Sequence, residues 1–416
     1  MPYRGPYAVR VTSGAAPLRA PVVAYLPTRY PVLSETFVRA EVREMRRQGV
    51  TVHVLIAREA TDPALVDEPY EHLLEHGATR MQLGLAHVRV AARRPLGYLR
   101  AWRVAQRSGA DRSEVCWRQL PWWALRLRER GTTSLQAHFA WSSATRARVL
   151  SLLTGLPWVL TVHGLDVFGR VVGLADKVAS ADAVVSVCDY MARHISDLGV
   201  ELRRPTPVVV CGVVVPPEPA PGPAAFDVIA VGRLVEKKAF DVLLRACVEL
   251  GKVRPGTRVV IVGDGPLREQ LTGLRDELGL HEVVELRGAV AHEETLDLIG
   301  KAAVLALPAR IAADGDRDSM PVVGKEALAR AIPVVGTDLV GIPEMVDDSC
   351  GWLVPADDPH ALAEALTAAL TDPTAARSRG LAGRARVDAR FRLDTNVAIL
   401  RKLHCDLADL ARVDAA

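Results

Sequence analysis

The sequence predicts an α/β chain built from two doubly wound parallel-sheet domains, and three observations carry that prediction. Short Val-rich apolar runs alternate with longer helical patterns from about residue 21 to residue 372. Each run is brief and ends near Gly or Pro, as strands buried on both faces do. A Pro-rich stretch, VVVPPEPAPGPAAF (213–226), holds five Pro between 216 and 223 and divides the runs into two series. Proline fixes φ and cannot join a central strand, so this stretch reads as a stiff linker. At 416 residues the chain also exceeds what one core ordinarily serves.

The elements follow in order. Residues 1–20 read as a flexible N-terminal extension and lack the apolar core of a signal peptide. The N-terminal domain, 21–212, contains the runs PVVAYLP (21–27), VTVHVLI (50–56), PWVLTVHG (157–164) and ADAVVSV (181–187). After the linker at 213–222, the C-terminal domain, 223–385, contains FDVIAVG (226–232), TRVVIVG (257–263), VVELRG (283–288), AVLALP (303–308) and IPVVGT (332–337). Residues 386–416 read as a C-terminal helix able to pack across either domain. Alternating strands and helices make parallel sheets covered by helices. Ligands of such sheets gather at the carboxyl ends of strands, near the point where strand order reverses. Two such domains in tandem imply a central cleft between them.

Composition narrows the function. With 49% hydrophobic and 24% charged residues the chain is globular, and a net charge of +3 is too small to argue for nucleic acid. The six Cys show no C-x-x-C spacing, which points to neither a zinc site nor a disulfide framework and fits a reducing cytoplasm. No apolar run approaches the roughly 18 residues of a membrane helix. The expectation is a cytoplasmic protein without metal or cofactor.

Residues just after strands carry the chemistry. In VGRLVEKKAFDVLLRA (231–246), Gly232 permits a tight strand exit and a helix begins near Ala239. Two of only seven lysines stand adjacent here. Arg233 and Lys238 could clasp a diphosphate, the first with a planar fork and the second as a mobile point charge, or they could line a solvated loop. VGDGPLREQL (262–271) reads as strand end, Gly-rich turn and helix start, with Gly263 and Gly265 in the turn and Pro266 in the first helical turn. The segment DGDRDSMPVVGKEAL (314–328) enters a helix over 320–331, with Ser319 as its cap and Pro321 in its first turn. Asp318 then precedes the helix and Glu326 lies two turns inside it. Residues eight apart do not touch on a helix, and the spacing offers no clear set of convergent metal ligands. One carboxylate at each end of an extended ligand suits it better, with the backbone of 319–322 between them. Asp316 and Arg317 read as solvated loop residues.

The ordered series GRLVEKK, VGDGP, LRGAV, LALP, DSMPVVGKEALA, IPVVGTDLVGIPEMV and GWLVP resembles retaining glycosyltransferases of family 4, which have the two-domain GT-B fold, and the resemblance covers nearly the whole chain. The family's E-x7-E motif stands here as Asp318-x7-Glu326, with Ala239 and Cys211-Gly212 where the family usually has Gly and Asn-Gly. In the N-terminal half, YPVLSETFV (30–38) resembles the loop and helix start of polysaccharide-forming subfamilies, and His163 in TVHGLDVF (161–168) falls on the family's H-G-x-D motif. The resemblance implies that Arg233 and Lys238 bind the donor diphosphate and stabilise its departing charge. Glu326 would accept hydrogen bonds from the ribose, and Asp318, Ser319, Met320, Pro321 and Val322 would hold the donor sugar, with Gly263 and Gly265 also on the donor side. His163 would position sugar and acceptor, with Ser34, Glu35, His138 and Asp166 on the acceptor side. The resemblance also implies retention of configuration by front-face attack, in which the departing phosphate oxygen would take the acceptor proton, unlike the paired carboxylates of glycosidases. The implied partners are a nucleotide-sugar donor and a saccharide, lipid-linked or small-molecule acceptor. Natural-product glycosylation and a silent GT-B scaffold remain the alternatives. An epimerase is open, and a phosphorylase would need a pyridoxal-phosphate lysine that the sequence does not point to.

Residues 89–130 hold eleven Arg, four Trp and three acidic residues. They read as two helices with Trp inside and Arg outside, in preference to a membrane-surface patch for a lipid-linked acceptor at the inner face of the membrane.

Overall fold

Valine, isoleucine and leucine fill both faces of the strands, which is why these segments pair into sheets rather than coil into exposed helices. The structure, a computed structural model, describes residues 20–32, 35–58, 69–74, 77–109, 112–169, 172–220 and 224–413. Ser34, most of the 1–20 extension and the end of the linker lie outside these residues. The chain divides into two units, residues 1–210 with 396–416, and residues 211–395.

The first unit begins with β1 (Val22–Tyr25), α1 (Thr36–Arg47), β2 (Thr51–Ile56) and β3 (Glu71–His72). Four helices follow: α2 (Arg80–Arg93), α3 (Pro95–Arg107), α4 (Arg112–Val115) and α5 (Leu120–Glu129). Then come β4 (Ser134–His138), α6 (Ser142–Thr154), β5 (Trp158–Val162), α7 (Leu165–Phe168), α8 (Leu174–Ser180), β6 (Ala183–Ser186) and α9 (Asp189–Asp197). The strand order is β3-β2-β1-β4-β5-β6, and every pairing is parallel.

The second unit contains β7 (Phe226–Val231), α10 (Phe240–Val253), β8 (Val259–Val262), α11 (Arg268–Glu277), β9 (Val284–Gly288) and α12 (His292–Gly300). It continues with β10 (Ala302–Leu307), α13 (Val322–Ala329), β11 (Val334–Thr337), α14 (Ile342–Met345), β12 (Gly351–Val354), α15 (Pro359–Thr371) and α16 (Pro373–Arg390). The helix α17 (Leu393–Val413) closes the chain, and its residues from Asn396 onward belong to the first unit. Strand order in the second sheet is β12-β11-β10-β7-β8-β9, again all parallel. Each unit therefore repeats one topology, in which the order reverses between its first and fourth strands. The crevices at those two places, β1/β4 and β7/β10, are where the fold opens room for a ligand.

The apolar series omits β4, because Ser134, Gln136 and His138 alternate with Leu135 and Ala137 in a strand buried at all five positions. Ser134 and Gln136 are satisfied from α17. Ser134 Oγ lies 2.8 Å from His404 Nδ1, and His404 Nε2 lies 3.1 Å from Gln136 Oε1. Gln136 Nε2 in turn donates to Thr161 Oγ1 at 2.8 Å. Only the amide oxygen of Gln136 can accept, so His404 carries its proton on Nε2. Complete burial favours the uncharged ring and lowers its pKa to about 4.

Several local expectations need correction. The segment at 213–220 is no free spacer, since Val213 exchanges backbone hydrogen bonds with Phe391 and Leu393, and Ala220 donates to the Arg330 carbonyl at 2.9 Å. A Cβ on Gly212 would meet the backbone of Arg392 and Leu393, so a small residue is needed there for the two segments to touch. The helix expected at 320–331 is shorter, and Pro321 rather than Ser319 occupies its cap position. The Ser319 carbonyl instead accepts the Gly341 N–H at 2.8 Å. Helix α11 starts two residues past Pro266, and residues 386–413 are the end of α16 and all of α17, separated at Phe391 and Arg392. No helix among the described residues is long and apolar enough to cross a membrane.

Candidate functional site

In the second unit the strand exits at the reversal point are tied together by charge. The chain leaves β7 through Gly232 and exposed Arg233, makes a short 3-10 turn at Glu236–Lys238 and enters α10. Lys238 Nζ lies 2.5 Å from Asp318 Oδ2, Lys237 Nζ lies 3.6 Å from Asp318 Oδ1, and Lys237 also donates to Asp316 Oδ1 at 3.0 Å. Two backbone links add to this, Arg310 N–H to the Lys237 carbonyl and Ala313 N–H to Glu236 Oε1. Asp316 is therefore not a solvated loop residue, because the adjacent ammonium holds it. Burial acts to raise the Asp318 carboxyl, but Lys238 and Lys237 outweigh it and leave the group below the ordinary carboxylate range.

Ala239 sits between this turn and α10 with φ +47° and ψ +39°. This is the left-handed region, where a side chain costs about 1–2 kcal/mol, and glycine would meet no such penalty. Losing one buried methyl costs about 0.8 kcal/mol. Ala239→Gly is thus expected to raise stability by up to about 1 kcal/mol, read by thermal unfolding, and a clear fall in Tm would contradict the strain.

Gly263 and Gly265 take part in a different way from the one expected. Gly263 has φ +141°, and a Cβ there would overlap the Gly232 carbonyl, while one on Gly265 would overlap the Leu234 backbone. Leu234 N–H donates to the Asp264 carbonyl at 2.9 Å and Leu267 N–H to the Leu234 carbonyl at 3.1 Å. Their lack of side chains lets the exits of β7 and β8 lie against each other, which holds the Gly232–Arg233 backbone in place.

At the other end of the motif, Met320 and Pro321 are buried, Ser319 and Val322 are half-buried, and the start of α13, which has no side-chain cap, follows directly. Glu326 is buried within α13, and its Oε1 lies 3.5 Å from His292 Nε2. Burial pushes its carboxyl up to about 7, against the pull of Arg330 and Lys325. The two motif carboxylates thus differ in state at neutral pH. The lysines favour the charged form of Asp318, whereas burial disfavours the charge on Glu326.

The first unit assembles a second constellation at its own reversal point. His138 ends β4 and His163 follows β5, with His138 Nδ1 3.0 Å from His163 Nε2 and the rings stacked at 5.2 Å between centroids. His138 Nε2 lies 3.1 Å from Glu41 Oε1, which also accepts the Tyr25 hydroxyl at 2.8 Å. A carboxylate can only accept, so His138 carries its proton on Nε2 when neutral, and its Nδ1 accepts from His163 Nε2–H. The chain Glu41–His138–His163 therefore leaves Nδ1 of His163 as the ring's acceptor. Phe37 and Phe139 pack on the His163 ring, at 4.8 and 4.5 Å between centroids. Glu35, at the start of α1, is raised by burial, with His138 and Arg29 opposing.

Asp166 needs a different role from the expected acceptor contact. It is fully buried, and its oxygens accept the backbone N–H groups of Ala140, His163 and Gly164 at 2.9, 3.0 and 2.7 Å. It fixes the turn that presents His163, and no oxygen faces outward. Glu41 is the residue the sequence reading missed. Its signal was a carboxylate on the buried stripe Val38, Val42 and Met45 of α1. Glu41→Gln should loosen the His138 tautomer and lower the rate of any activity that uses His163. An unchanged rate with a normal fold would remove Glu41 from the network.

Residues 225–372 match the family model described as Glycosyl transferases group 1. The protein named for colanic acid biosynthesis, the glycosyltransferase WcaL of Escherichia coli (strain K12), is 34% identical over 244 residues, covering 56% of this chain. The chain matches 60% of that relative's length. Among solved structures, sucrose-phosphate synthase from Thermosynechococcus elongatus aligns with a TM-score of 0.70 at 19% identity, covering 94% of this chain and 99% of that one. HepE from Anabaena in complex with UDP-glucose aligns at 0.68 and 16% identity, covering 92% and 99%. At these identities the structures establish the fold, two parallel α/β domains of the GT-B type.

Proposed function

We propose, from the match of residues 225–372 to the family model Glycosyl transferases group 1, that the chain is a retaining glycosyltransferase that needs no metal. It moves a hexose-type sugar from a UDP- or GDP-linked donor to a hydroxyl of a saccharide or lipid-linked acceptor in polysaccharide biosynthesis. It works in the cytoplasm, at the inner face of the membrane where the acceptor is lipid-linked. The observation that carries this reading is the Lys238–Asp318 contact at the β7/β10 reversal, with Glu326 beyond it on α13.

The chemistry follows from charge. Breaking the bond between the sugar and the diphosphate leaves negative charge on the phosphate oxygen. Lys238, held in position by Asp318, and exposed Arg233 on the same β7 exit are the cations that stabilise that charge. Asp318 keeps Lys238 extended until the donor arrives and shares it afterwards, and its other oxygen accepts a sugar hydroxyl. Glu326 accepts from the ribose as a carboxylate. The departing phosphate oxygen takes the acceptor proton on the same face, so no enzyme carboxylate serves as nucleophile. On the acceptor side, His163 helps position sugar and acceptor, with His138 and Glu35 beside it.

Thermal unfolding in the presence of a panel of UDP-, GDP- and dTDP-sugars tests the reading, because a ligand that binds only the folded state raises Tm. One nucleotide sugar should stabilise the protein, and the same compound should support transfer in an acceptor panel. Absence of both binding and hydrolysis across the panel would overturn it.

A further inference from the structure

The helices α2 and α3 carry an apolar face that no other described part of their unit covers. Met81 is 72% exposed, Val88 66%, Leu96 69% and Trp102 44%, with Leu85 and Leu99 also exposed. Helical spacing explains why these residues form a surface rather than scattered points. At 100° per residue, Met81, Leu85 and Val88 fall within about 60° of one another on α2, opposite buried Val90. On α3, Leu99 and Trp102 occupy one flank and Arg100, Arg103 and Arg107 the next, with Leu96 among the arginines, while Ala101 and Ala105 are buried on the far side. The expectation of tryptophans inside holds for Trp123, whose indole N–H donates to the Leu73 carbonyl at 3.1 Å, and fails for Trp102.

Charge supplies the second observation. From His76 to Ala110 the sequence has seven Arg and no Asp or Glu. A concave site of about 250 Å³ adjoins α3, lined by Arg100, Arg103, Arg148 and Arg203 with Ser151 and Trp158. Burial lowers the Arg148 guanidinium below its ordinary value, and Asp176, at 3.8 Å, offsets this only in part. Arg203 is paired with Asp182 at 2.6 Å. The site thus has an excess of guanidinium donors over carboxylates, as a phosphate requires.

We infer that the α2–α3 face docks on an anionic phospholipid bilayer, with the apolar stripe in the interface and the arginine-lined site taking a lipid headgroup phosphate. Outward apolar side chains beside an unbroken basic run match an interfacial amphipathic surface. Nucleic acid would leave Met81, Leu96 and Trp102 in water, and a second copy would set seven arginines against seven. The inference rests on this surface and not on the donor site, so each can fail separately.

Sedimentation of the full chain with phosphatidylcholine vesicles, with and without phosphatidylglycerol, tests it. Binding is expected only to the anionic vesicles, falling with added salt, and Trp102 fluorescence should shift to the blue on binding. Arg100→Gln with Arg103→Gln should weaken binding about fivefold per arginine. Met81→Gln with Val88→Gln, on the other helix, should weaken it independently. All variants should keep the parent's circular dichroism and its thermal response to nucleotide sugar. Equal binding to neutral vesicles, no binding by folded protein, parent-like binding by both double variants, or preference for RNA over vesicles would each overturn the inference.

Discussion

Lys238→Met is expected to lower kcat/KM for sugar transfer by about 10²- to 10³-fold, the scale set by removing one preorganised group at a developing oxyanion. The lysine also compensates Asp318, so the same substitution lowers stability. Both side chains are only partly exposed, at 18% and 11%, and Lys237 remains 3.6 Å away. The loss should therefore fall below the 3–5 kcal/mol of a fully buried broken pair, at about 1–3 kcal/mol. Combining Lys238→Met with Asp318→Asn separates the two effects. The double variant should recover most of the stability, because no uncompensated carboxylate remains, and should recover none of the transfer. Thermal unfolding and initial rates on the four proteins of this cycle read the outcome. Transfer restored together with stability would make Lys238 a structural residue only.

The second large effect concerns Glu326. Its carboxyl is pushed from the ordinary 4.5 up to about 7 by burial. Between those values the folded state binds more protons than the unfolded state, so stability is fully present below about pH 4.5 and declines as pH rises to about 7. A difference of this size amounts to about 3 kcal/mol. Glu326→Gln is neutral at every pH, so it should be more stable than the parent above pH 7 and lack the decline. It should bind nucleotide sugar at least about tenfold more weakly, the cost of losing charge-assisted acceptance from the ribose. Donor binding by the parent should tighten as pH rises through 7 and release a proton, measurable by titration calorimetry in buffers of different ionisation heat. His404 acts in the opposite sense within the first unit. Its pKa falls from 6.5 to about 4, so the stability it contributes is present above 6.5 and lost as pH falls toward 4. Amide exchange resolved by unit should show the first unit loosening toward acid and the second toward neutral pH. Parallel slopes in both units would contradict the assignment of these two groups.

Much of this was legible in the residues. The nine apolar runs named the strands whose side chains alone account for their burial, and the residues just after them included Lys238, Asp318, Glu326 and His163. What escaped has a common cause. Strand β4 was hidden because Ser134, Gln136 and His138 are buried through partners far away in sequence, including His404, 268 and 270 residues from the atoms it binds. Glu41 was hidden because a carboxylate on an apolar stripe has meaning only once His138 stands opposite it. Asp166 matched a motif, yet its oxygens are spent on three backbone N–H groups and none remains to meet an acceptor.

The sequence by itself determined the two parallel α/β domains, their division near the proline-rich segment and the identity of the motif residues. Periodicity, proline geometry and local spacing are properties of neighbours in the chain, and they survive without knowledge of the fold. Only the tertiary structure decided how the charged run around 314–318 is used. Lys237 and Lys238 come to it across about 80 residues, turning Asp316 from a solvated loop residue into an ion-pair partner and Asp318 into the holder of the lysine clasp. The same distinction separates Glu326, whose pKa near 7 depends on the burial around α13, from its chemically similar neighbour in the motif. Ionisation responds to what surrounds a group in space, and spacing along a chain does not contain that information.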